Sequence, residues 1–129
     1  MHNVLIADDS ATARMVIKRC FEVIGCRENW SFQEAVNGKD ALEKLRQNSF
    51  DLLLTDINMP VMDGKKLLLG VKSSPRLNHI PVVVISSLGN PALIDELKRI
   101  GANIVIHKPI SPEKIIQAIE EIFGKDALP

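Results

Sequence analysis

The chain has no tyrosine, one tryptophan, four phenylalanines and only two cysteines in 129 residues. Cys20 and Cys26 match neither zinc-knuckle nor C-x-x-C spacing, so two reduced thiols are expected. Neither sign of charge is in excess: sixteen Lys and Arg balance sixteen Asp and Glu. A protein built to neutralise phosphates would carry a basic surplus, so no nucleic-acid partner is expected. No apolar run approaches the roughly 18 residues of a membrane span, and Met-His-Asn leads straight into a strand-like run with no signal-peptide pattern. No membrane association and a cytoplasmic location are expected. At 46% hydrophobic and 25% charged, the composition is that of an ordinary globular domain and excludes disorder.

Short apolar runs alternate with helical patterns along the whole chain. The runs are Val4 to Ala7, Phe32 to Val36, Leu52 to Leu54, Val82 to Ile85 and Ile104 to Ile106. Four are continuously apolar, as strands covered on both faces are. The second, from Ser31 to Val36, alternates loosely and suits a sheet edge. Between them, three- and four-residue apolar spacing predicts helices over Ala11–Ile24, Gly38–Gln47, Gly64–Lys72, Pro91–Ile100 and Pro112–Phe123. In the first, Met15, Val16, Cys20, Val23 and Ile24 are read as inward, and Arg14, Lys18, Arg19 and Glu22 as outward. Gly25 and Gly101 are stop signals, and Asn90 and Ser111 are N-caps ahead of Pro91 and Pro112. Trp30 falls just before the second strand, as partial core. Cys26–Ser31 reads as a longish loop and Lys125–Pro129 as a loose tail. Five β-α units in this length predict a single α/β domain with a parallel sheet and helices on both faces.

In such sheets ligands bind beyond the carboxyl ends of the strands. The first strand ends in Asp8-Asp9-Ser10, the third in Thr55-Asp56-Ile57-Asn58, the fourth in Ser86-Ser87 and the fifth in His107-Lys108-Pro109. If these strands are neighbours, three carboxylates, an ammonium and a hydroxyl converge. Carboxylates about 5 Å apart repel by about 3 kcal/mol per pair at an effective dielectric near 20. Protonation or a bound cation relieves this, and all-oxygen ligands suit Mg²⁺. With Mg²⁺ and Lys108 the charges sum to zero, and a carboxylate so placed is a credible nucleophile for phosphoryl transfer. An FMN-binding reading fails because Asp8 and Asp9 would repel the phosphate. A D-x-D phosphatase reading fails because that nucleophile follows the first strand, whereas here Asp56 follows the third and Asn58 stands two residues on. A binding module that works without phosphorylation would be favoured by loss of an acid, the hydroxyl or the lysine; none is lost.

The runs L-I-A-D-D-S at 5–10, D-L-L-L-T-D-I-N-M-P-V-M-D-G at 51–64, P-V-V-V-I-S-S at 81–87 and H-K-P-I at 107–110 together resemble the receiver domains of two-component response regulators, chemotaxis-type members in particular. The resemblance spans Val4 to Phe123. It implies one receiver domain over residues 1–129 with no output domain, built on a doubly wound five-stranded parallel sheet in the flavodoxin-like order 2-1-3-4-5. It further implies Asp56 as phosphoacceptor and Mg²⁺ held by Asp8, Asp9, Asp56 and the backbone carbonyl of Asn58. Ser86 and Lys108 would meet the phosphoryl oxygens, with a cis Lys108–Pro109 bond and a turn through Met59-Pro60 and Asp63-Gly64. A sensor histidine kinase or phosphotransfer protein would supply the phosphoryl group. Output to a protein target would leave through helix four, strand five and helix five, about Pro91 to Phe123. Two positions depart from the family pattern. Val105 stands where an aromatic often couples to the moving hydroxyl, so the switch formed with Ser86 would rely on aliphatic repacking; Ile110 stands where phenylalanine is common. Leu88, two residues beyond Ser86, is expected to shield the acyl phosphate from water.

Overall fold

Of the four continuously apolar runs, three lie at the centre of the sheet and the fourth, Ile104 to Ile106, lies at an edge. In the computed structural model, which describes residues 2–26, 28–87 and 89–129, the order is β1 (His2–Ala7), α1 (Ala11–Ile24), β2 (Trp30–Ala35), α2 (Gly38–Gln47), β3 (Leu52–Asp56), α3 (Gly64–Lys72), β4 (Val82–Ser86), α4 (Pro91–Ile100), β5 (Ile104–His107) and α5 (Pro112–Phe123). The strands are parallel in the order β2-β1-β3-β4-β5. Every residue of β3 and β4 is buried, while the loosely alternating β2 takes an edge. All five helices keep their expected bounds.

The period-two alternation of the strands divides the interior into two cores. Leu5, Leu53, Val82 and Val84 face α2, α3 and α4, where Leu42, Leu67, Leu68 and Leu97 meet them. Val4, Ile6, Leu54, Val83 and Ile85 face α1 and α5, with Ile17, Phe21, Ile115 and Ile119. Side chains this deeply buried each contribute about 1.5–3 kcal/mol. Helix starts are capped by Ser10, Asn37, Asp63, Asn90 and Ser111, each accepting a hydrogen bond from a backbone N–H of the first turn. Gly25 ends α1 in the left-handed region at φ 100°. Cys20 and Cys26 are buried and unpaired. Among the described residues no helix is long and apolar enough to cross a membrane.

Four details differ from the sequence reading. In α1 the buried stripe is Ile17, Cys20 and Phe21 with Ile24 half-buried, whereas Met15, Val16 and Val23 are exposed. At 3.6 residues per turn, two apolar stripes lie side by side on this helix. The one carrying Phe21 has more surface to remove from water, and it turns to the sheet. The same rotation brings Arg14, expected to face solvent, against β2, where its side chain is 13% exposed. Trp30 is the first residue of β2 and is buried, with His2 stacked on its ring at 4.3 Å and Phe21 and Phe123 alongside. The tail is ordered as a 3₁₀ turn over Lys125–Ala127, because Ala127 and Leu128 pack onto the core cluster that contains Trp30.

Candidate functional site

The register of the sheet brings the strand ends into one row. Ala7 lies opposite Thr55, Asp56 opposite Ile85, and Ser86 opposite His107. The chain therefore leaves β1, β3, β4 and β5 at the same edge, carrying Asp8-Asp9, Asp56, Ser86 and Lys108.

Asp8 is buried, with its N–H donating to Ala35 O at 3.0 Å and its Oδ1 accepting from the Ser10 N–H at 2.9 Å. Asp9 beside it is exposed. Asp56, the last residue of β3, is 8% exposed, and its carbonyl accepts from Thr55 Oγ1 at 2.9 Å. One carboxylate oxygen from each of Asp8, Asp9 and Asp56 lies within 4.8 Å of the others. Lys108 Nζ is 3.4 Å from Asp56 Oδ1. Ser86 is buried at the end of β4, and its carbonyl accepts from the Lys108 N–H at 2.8 Å. The Lys108–Pro109 bond is cis, as expected.

Burial pushes the Asp8 carboxyl above its ordinary value, and the charges of Asp56 and Asp9 push the same way. The Ser10 N–H and Lys108 oppose the shift. A carboxylate that resists ionisation beside two others is a site short of positive charge, and three hard oxygen donors are the ligand chemistry of Mg²⁺.

Asn58 is exposed, on the loop two residues beyond Asp56. That loop closes where the Gly64 N–H donates to Ile57 O at 2.8 Å. Its geometry requires glycine at 64, since a Cβ there would fall 2.0 Å from Asp56 O. Within the loop the Met62 N–H donates to Pro60 O at 2.7 Å across Val61, whose φ is 69°. Val105 sits on β5 opposite Val84, half-buried against the core on the α4 side. Ile110 packs on the opposite core and lines a cleft of about 400 Å³ with Asp8, Val16, Lys108 and Pro109. Leu88 lies outside the described residues.

Sequence reasoning missed two contributors outright and read a third only in part. Lys114 Nζ donates to both His107 O and Pro109 O at 2.7 Å, bracing the turn that carries Lys108. Gly64 was legible only as turn chemistry. Arg14 donates from its guanidinium to Asp8 O at 2.6 Å, and Nε donates to Glu34 Oε1 at 2.9 Å. The one available signal was Glu34, an acid in a short strand with cations spaced along the preceding helix.

Residues 4–120 match the response regulator receiver domain family. The chain is 36% identical over 122 residues to the chemotaxis protein CheY of Pseudomonas aeruginosa, covering 95% of this chain and 96% of that protein. It superposes on Vibrio cholerae CheY4 with a TM-score of 0.84 at 27% identity, covering 95% and 99% of the two chains. With CheY in the CheX–CheY–BeF₃–Mg²⁺ complex of Borrelia burgdorferi the TM-score is 0.83 at 29% identity, over 95% and 89%. The three-carboxylate edge with its lysine and hydroxyl, the strand order and these near full-length likenesses place the chain in the response regulator receiver domain family, among its CheY-like members.

Proposed function

We propose that this chain is a phosphorylation-activated switch in which Asp56 accepts a phosphoryl group from a histidine kinase or phosphotransfer protein. The observation that carries the reading is the meeting of Asp8, Asp9 and Asp56 within 4.8 Å, with Lys108 3.4 Å from Asp56. An Asp56 carboxylate oxygen bonds to phosphorus while the P–N bond to the donor imidazole breaks, the electron pair staying on that nitrogen. Lys108 and the Ser86 hydroxyl receive the phosphoryl oxygens. Asp8, Asp9, Asp56 and the Asn58 carbonyl would hold Mg²⁺, which supplies charge neutralisation at the phosphoryl oxygens when bound. The Borrelia relative crystallised with Mg²⁺ and BeF₃, a stand-in for a phosphoryl group, supports this reading, and its complex with CheX supports output by protein binding. The whole of residues 1–129 acts as one cytoplasmic receiver, and α4, β5 and α5 form its output face. Ser86 and Val105 on adjacent strands carry the change, by aliphatic repacking.

Intact-protein mass spectrometry after acetyl phosphate treatment tests this. One phosphoryl addition is expected with Mg²⁺, and none with chelator or in D56N. Equal labelling of D56N would refute the assignment.

A further inference from the structure

The Asp8 carbonyl lies just past the last paired residue of β1, and among the described residues no backbone N–H reaches it. Its partner is the Arg14 guanidinium, at 2.6 Å. That guanidinium is itself held. Its Nε donates to Glu34 Oε1 at 2.9 Å, and Lys18 Nζ donates to Glu34 Oε2 at 3.2 Å. Lys44 Nζ from α2 donates to the Glu34 carbonyl. The Glu34 carboxyl is held below its ordinary range by Arg14 first and then Lys18, so it stays ionised at neutral pH. Side chains from two helices thus converge on Glu34 of the edge strand, and the arginine that Glu34 holds ends on the main chain of a carboxylate in the metal cluster.

We propose that Arg14 is a positioning residue for the metal pocket: fixed by Glu34, it holds the main chain of Asp8 and so sets where the Asp8 carboxylate stands. The inference rests on the reading of Asp8, Asp9 and Asp56 as a Mg²⁺ site. Arginine suits this place because two nitrogens of one rigid planar group reach Glu34 and the Asp8 carbonyl in fixed directions, whereas the donors of a lysine all radiate from one nitrogen on a flexible stem. Outer-sphere partners of this kind typically contribute 10–100-fold in metal affinity.

A purely electrostatic role for Arg14 makes the opposite forecast. Removing a cation near three carboxylates would strengthen Mg²⁺ binding, and R14K would be silent. Calorimetric titration with MgCl₂ therefore separates the two. Positioning predicts that R14K, R14M and E34Q each bind Mg²⁺ about tenfold more weakly. It also predicts that phosphorylation by acetyl phosphate returns to within about twofold of wild type once Mg²⁺ saturates. Wild-type affinity in R14K, or tighter binding in R14M, would overturn the inference. So would a drop in melting temperature with Mg²⁺ affinity unchanged, the signature of a merely structural ion pair. If the Arg14 variants do not melt cooperatively, E34Q decides alone, since it keeps the side-chain shape and leaves the metal cluster untouched. D9N separates this inference from the reading beneath it. If D9N binds Mg²⁺ like wild type, the metal site itself is wrong; if D9N loses Mg²⁺ while R14K and E34Q keep it, only the positioning role falls.

Discussion

Replacing Asp8 by asparagine should make the metal-free protein more stable, although it removes a residue of the proposed Mg²⁺ site. Asp8 and Asp56 are 3% and 8% exposed, with carboxylate oxygens within 4.8 Å. Two unit charges at that distance repel by about 3.5 kcal/mol at an effective dielectric of about 20. Lys108, 3.4 Å from Asp56, offsets part of this. Asparagine keeps an oxygen that can accept the Ser10 N–H, so D8N should gain about 2 kcal/mol, or roughly 6–8 °C in melting temperature for a domain of this size. The pH dependence follows from the same cause. Because burial raises the folded-state pKa of Asp8 above its ordinary 3.8, the folded protein holds that proton more tightly than the unfolded chain does. Stability therefore falls as pH rises from 3.8 through the raised value, and the penalty is fully present above it. Urea denaturation in chelator and in Mg²⁺ reads both effects. Wild type gains about 2.7 kcal/mol at a hundredfold excess of Mg²⁺ over Kd, and D8N gains little. If D8N is no more stable than wild type in chelator at neutral pH, the repulsion argument is wrong.

The rotation of α1 is tested by a pair of substitutions. I17A should cost about 2–5 kcal/mol in urea denaturation, while V23A, at a position 73% exposed, should stay within about 0.5 kcal/mol. Val61 is a β-branched residue at φ 69° with its side chain in solvent. V61N, which tolerates that conformation, should add about 1 kcal/mol to stability in the same assay. G64A should lose about 3 kcal/mol or more and slow acetyl phosphate labelling, because its Cβ collides with the carbonyl of Asp56.

Strand and helix placement was legible because the chain is locally consistent. The runs Leu52 to Leu54 and Val82 to Ile85 read as strands covered on both faces, and Pro91, Pro112, Gly25 and Gly101 mark helix ends by backbone chemistry. The site residues were legible for a related reason: acids, a hydroxyl and a lysine stand at or just past the ends of otherwise apolar strands. The facing of α1 was not, since Val16/Val23 and Ile17/Phe21 form competing stripes, and only three-dimensional contact with β2 selects between them. Arg14 was hidden by that same ambiguity, because its partners lie apart in sequence, Glu34 on β2 and Asp8 just past the end of β1. Leu128 was misjudged because the aromatic cluster of His2, Trp30 and Phe123 that it neighbours is assembled from opposite ends of the chain.

The central claim is that the edge defined by Asp8, Asp9, Asp56, Ser86 and Lys108 exists to place a phosphoryl group on one particular carboxylate. Tandem mass spectrometry of peptides from the acetyl phosphate-treated wild-type protein locates that group directly. The modification should map to Asp56 alone and be released by hydroxylamine, as an acyl phosphate is. A hydroxylamine-resistant modification on Ser86, or one spread over Asp9 and Asp56, would contradict it.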